Sequence, residues 1–102
     1  LATTFEGVRT IETPKAVARN VGRRVAELRG EQGLTQEEFS AEVGVSLRYL
    51  QQVEAGRENL TIESLVKLAR HLRVRVVALF EPAQIKIGRR GRPPRIGGKG
   101  TS

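Results

Sequence analysis

The segment Leu34–Gly56 places two helix starts and two helix stops in a stretch too short for either helix to be stable alone. The first start is Thr35-Gln36-Glu37-Glu38, a capping box. The Thr35 hydroxyl can accept from the Glu38 amide while the Glu38 carboxylate reaches back to the Thr35 amide. Phe39 and Val43, four apart, share one helical face, and Gly44 supplies the stop. Ser46 then caps a second helix with Leu50 and Val53 inward, closed by Gly56. Packing rather than propensity must hold helices of this length, so the flanking chain has to supply a core. Two short helices hinged at one glycine are also how a chain presents a helix to the DNA major groove.

The flanks meet that demand. Thr13 suits an N-cap and Pro14 a first helical position, where a missing N–H is no loss. Val17, Val21, Val25 and Leu28 follow as one apolar stripe, Gly30 weakens the last turn, and Gly33 offers a left-handed stop. Beyond Gly56, Thr61 caps a further helix. Leu60 and Leu65 sit at hydrophobic-staple positions, and Leu65, Leu68, Ala69 and Leu72 form its stripe. Val74, Val76, Val77, Leu79 and Phe80 are dense in β-branched residues, so a short fifth helix and a strand compete there. Pro82 ends the domain. Gln84-Ile85-Lys86-Ile87 alternates and can pair as a short edge strand. The predicted organisation is an N-terminal arm over residues 1–12, a helical domain over 13–82 and a basic flexible tail over 83–102.

Composition narrows the function. A chain of 102 residues suits one domain plus tails. It has no Cys and a single His, His71, which excludes a disulfide framework, a thiolate metal site and clustered imidazole ligands. No catalytic Ser/His/Asp or Cys/His set exists, so we expect no enzyme, metal or cofactor, and no small-molecule ligand is evident. His71 reads as a surface or half-buried side chain. No apolar run approaches the roughly 20 residues of a membrane span, which points to no membrane association and a cytoplasmic location. The net charge of +7 is uneven. Residues 15–82 carry eleven basic and nine acidic side chains, whereas 83–102 carry six basic and none acidic. A polycationic tail beside a balanced domain signals a polyanionic partner.

Val21 to Phe80 resembles the Cro/phage-repressor helix-turn-helix family, the XRE type. The resemblance rests on Leu28-Arg29, Gly33-Leu34-Thr35-Gln36-Glu37-Glu38, Ala41, Val43-Gly44-Val45-Ser46, Leu50, Val53-Glu54-Ala55-Gly56, Leu65, Leu68-Ala69 and Leu72. It implies an all-α, lambda-repressor-like bundle of five helices. The implied function is a sequence-specific transcriptional regulator that binds double-stranded DNA, usually as a homodimer, in the nucleoid. Ser46, Leu47, Arg48 and Gln52 match the family positions that meet base edges or nearby phosphates. Arg48 suits guanine O6 and N7, Gln52 suits adenine N6 and N7, and Leu47 suits a thymine methyl. Gln36 and the helix start at Thr35 are expected to grip a phosphate, with Tyr49, Gln51 and Arg57 as further backbone contacts. Arg29 and Glu54 match a bracing ion pair. The sequence departs from the family at Arg73 and Arg75, where Gly and a small capping residue are usual, which puts the fifth helix in doubt.

In the tail, Arg89-Arg90-Gly91-Arg92-Pro93-Pro94-Arg95 contains an AT-hook-like core. Gly91 lets the backbone approach a groove floor and Pro93 favours an extended chain. Arg90 and Arg92 then suit a narrow A·T-rich minor groove. The competing functions are a protein-interaction or antitoxin-type module on the same fold, for which Leu47 and Tyr49 would serve a partner, and RNA binding through the tail.

Overall fold

A computed structural model describes residues 12–84. These form four α-helices and one 3-10 helix, with no strand among the described residues. The helices are α1 (Pro14–Glu31), α2 (Gln36–Val43), α3 (Leu47–Glu54) and α4 (Ile62–Leu72), followed by the 3-10 helix Val76–Phe80. The AT-hook-like segment and the Gln84–Ile87 alternation beyond Gln84 lie outside the described residues.

Local chemistry sets each boundary. The Thr13 hydroxyl accepts from the Ala16 amide at 3.0 Å with Pro14 opening α1. Gly33 ends the α1 turn at φ +73°. Both halves of the capping box form: Glu38 N donates to Thr35 Oγ1 at 3.0 Å and Thr35 N to Glu38 Oε1 at 2.9 Å. The Ser46 and Thr61 hydroxyls cap α3 and α4 by accepting from the Tyr49 and Ser64 amides, without the reciprocal half of the box. At the α2–α3 hinge Gly44 takes φ +89°, and the amides of Gly44 and Val45 both donate to the Ser40 carbonyl.

Every element contributes to one core. Val21, Val25 and Leu28 of α1 meet Phe39 and Val43 of α2, Leu50 and Val53 of α3, four residues of α4 and Leu79 of the 3-10 helix. Phe39 and Leu50 are wholly inaccessible, and each such side chain stabilises the fold by about 2–3 kcal/mol. Val17, placed on the α1 stripe by its spacing, is only half-buried against that core.

The C-terminal segment is a 3-10 helix rather than a fifth α-helix or a strand. Arg73 takes the left-handed conformation at φ +62°, the one non-glycine residue to do so among those described. Arg75 offers no side-chain cap. The segment is held instead by polar side chains of α1: Arg24 Nε donates to the Ala78 carbonyl at 2.8 Å, and Asn20 Nδ2 to the Glu81 carbonyl at 3.3 Å.

Candidate nucleic-acid interface

The two short helices present one face outward because their inner faces are committed. On α3, Leu50 and Val53 enter the core. Arg48, Gln51 and Gln52 fall on the opposite side by helical periodicity, with Leu47 at its edge. Arg48 and Gln51 are exposed, Leu47 and Gln52 half-buried. Among the described residues the polar groups of Arg48, Gln51 and Gln52 take part in no side-chain hydrogen bond or ion pair, and Leu47 offers an apolar contact beside them.

The N-cap residues have a double capacity. The hydroxyls of Ser46 and Thr35 accept from backbone amides, which leaves each hydroxyl proton free to donate. Tyr49 lies apart from the Arg48 side. Its ring packs against the core and its hydroxyl donates to Ser64 Oγ of α4 at 3.3 Å. Arg57, just past α3, is exposed, and its amide donates to the Gln52 carbonyl at 2.9 Å. The minor-groove residues Arg90, Gly91, Arg92 and Pro93 lie outside the described residues.

Beneath this face a polar network fixes α3. Glu54 accepts Arg29 Nε on Oε2 at 2.7 Å and Arg29 Nη2 on Oε1 at 2.9 Å. Gln36 Nε2 also donates to Oε1, at 2.8 Å, and Arg29 Nη1 donates to the Leu34 carbonyl at 2.8 Å. The side chains of Arg29 and Glu54 are 17% and 7% exposed, so the pair is largely desolvated and bidentate. Gln36 thus has a bracing role that its sequence position did not reveal, joining α2 to the α1–α3 pair. One amide hydrogen of Gln36 remains for an outside acceptor.

Sequence reasoning also missed Gly22. It is buried where α1 crosses the end of α3, and a Cβ there would overlap the Val53 carbonyl oxygen and lie 2.9 Å from that of Glu54. A glycine interrupting the Val21–Val25 stripe was the available signal, since an interior helical glycine often marks a close approach. Gly56 combines φ +77° with similar crowding, its missing Cβ 2.7 Å from Arg19 Cα. His71 lies 3.6 Å from Glu42 Oε2 at the surface between α4 and α2. Among the described residues no three His, Cys, Asp or Glu gather as a metal site, and no helix is long and apolar enough to cross a membrane.

A family model described as helix-turn-helix matches residues 25–79. An uncharacterized HTH-type transcriptional regulator, y4dJ, from Sinorhizobium fredii is 48% identical over 62 residues, which cover 61% of this chain and 80% of that protein. Among solved structures, the restriction-modification controller protein C.AhdI from Aeromonas hydrophila is 33% identical with a TM-score of 0.59, over 62% of this chain and 96% of that one. An HTH_3 family transcriptional regulator from Vibrio cholerae is 29% identical with a TM-score of 0.63, over 67% of this chain and 38% of that one.

Proposed function

The chain belongs to the helix-turn-helix family, and from that premise we propose that it is a DNA-binding transcriptional regulator that reads the major groove with α3. The observation that carries this reading is the division of α3 into a face locked by Leu50, Val53 and Glu54 and a face of uncommitted side chains. Locking matters because a reading helix must hold its side chains in register with base edges. Arg48 then takes guanine, Gln52 adenine, and Leu47 a thymine methyl, with Ser46 at the helix start. On this reading Thr35, Gln36, Gln51 and Arg57 serve as phosphate contacts, with Tyr49 as a further one from the α4 side. The tail adds electrostatic attraction and, through Arg90 and Arg92, entry to an A·T-rich minor groove.

The regulator acts as a homodimer at a nucleoid site. Among the described residues the exposed large apolar side chains are Ile62 and Val66 of α4 and Val77 and Phe80 of the 3-10 helix, none of them on α2 or α3. Self-association through them would leave both copies of α3 free. Selection of bound duplexes from a randomised pool tests both parts. The expected result is a pseudo-palindrome with half-sites about 34–36 Å apart, and a changed preference at one base pair per half-site for Arg48→Ala. Identical preferences for Arg48→Ala and the parent chain would remove Arg48 as a base-reading residue.

A further inference from the structure

We propose that α1 carries a second track for the DNA phosphate backbone, built from Arg19 and Arg23 and continued by Lys15 and Arg57 at the end of α3. The proposal rests on the DNA-binding reading above and extends it to a helix to which neither the motif nor the comparisons give a ligand. Lys15, Arg19 and Arg23 recur every four residues, so they line one side of α1. All three are exposed. The α1 backbone at Arg19 lies against Gly56, and Lys15 and Arg57 line one hollow between the start of α1 and the loop after α3. The stripe therefore adjoins the end of the helix proposed to enter the groove.

None of the four cations forms an ion pair among the described residues. Glu27 is placed four residues after Arg23, but its Oε1 is held by Arg24 at 2.8 Å and its Oε2 accepts the Gln84 amide at 2.7 Å. Glu58 lines the same hollow as Lys15 and Arg57, one carboxylate beside two cations. The arrangement also works against α1. Like charges four apart on a helix repel, and Lys15 stands in a first turn with no acidic residue, at the positive end of the helix dipole. A row of cations that opposes its own helix and has no ion-pair partner among the described residues fits an external polyanion with regularly spaced charges, which is what a phosphate backbone offers.

The test uses the full chain and measures binding against salt concentration, on a duplex selected from a randomised pool and on a mixed-sequence duplex. Arg19→Gln/Arg23→Gln is compared with Arg70→Gln/Arg75→Gln, which removes the same charge from α4 and the turn after it. The first pair should lower the slope of log K against log salt by about 1.8, two phosphates at about 0.9 each. It should leave the selected sequence unchanged and melt no lower than the parent chain. The control pair should lower the slope by less than half as much. Equal slopes for the two pairs, or no loss for the first, would overturn the proposal. A parent chain with no sequence preference would sink base reading by α3 instead, while the slope comparison on mixed-sequence DNA would still decide the role of α1.

Discussion

Two residues show how a single backbone position decides the stability of this domain. Gly22 has no room for a methyl group because the carbonyls of Val53 and Glu54 occupy that space. Gly22→Ala would ordinarily favour a helix by about 1 kcal/mol. Here it must push α1 away from α3, and the expected outcome is a net loss of about 1–3 kcal/mol in urea unfolding. An unchanged midpoint would show that the helices can part without penalty. Arg73 is the opposite case. It adopts φ +62°, a conformation that costs a side-chain-bearing residue about 1–2 kcal/mol. Arg73→Gly should relieve that strain and lose part of the gain to unfolded-chain entropy, leaving a rise of up to about 1 kcal/mol by thermal melting. A lower melting temperature would mean that the Arg73 side chain has stabilising contacts that outweigh the strain. Arg73 was legible in the sequence because the family that the chain resembles usually carries Gly there. Gly22 was legible only as a close approach, because nothing in its neighbourhood reveals which helix crosses it.

At the scale of elements the same distinction holds. The four α-helices were readable from Thr13, Thr35, Ser46 and Thr61, since a cap and its partner amide lie within three residues of one another. The 3-10 helix was ambiguous, because Arg24 and Asn20, which bind its carbonyls, stand more than fifty residues earlier in the chain. The candidate reading face was legible from the spacing of Leu50 and Val53. The place of Gln36 in the Arg29–Glu54 network was not, since it depends on how α2 packs on α3 while α3 packs on α1. That network predicts how α3 is held. Glu54→Ala strands a largely desolvated guanidinium and an amide donor, and should cost about 3–5 kcal/mol in chemical denaturation. Arg29→Met/Glu54→Leu removes both charges and should be distinctly more stable than Glu54→Ala alone. Equal losses would show that Arg29 finds water once its partner is gone.

Across the whole molecule, specificity and attraction are assigned to different parts of the chain. The segment holding α3 is nearly charge-balanced, whereas six of the eighteen basic residues lie beyond Pro82 with no acid among them. Base contacts discriminate sequence, and phosphate contacts set affinity and its salt dependence. Deleting residues 88–102 removes Arg89, Arg90, Arg92, Arg95 and Lys99. If all five neutralise phosphates, the slope of log K against log salt should fall by about 4.5. The half-site preference should persist, because α3 and its supports are untouched. Any preference for A·T pairs flanking the half-sites should disappear if Arg90 and Arg92 read the minor groove as proposed. Arg48→Ala should give the converse pattern, a changed half-site with the flanking preference and most of the salt slope retained. An unchanged slope on deletion would mean that the tail does not touch DNA, and the attraction would then have to come from the helical domain, where the cations of α1 are the next to test.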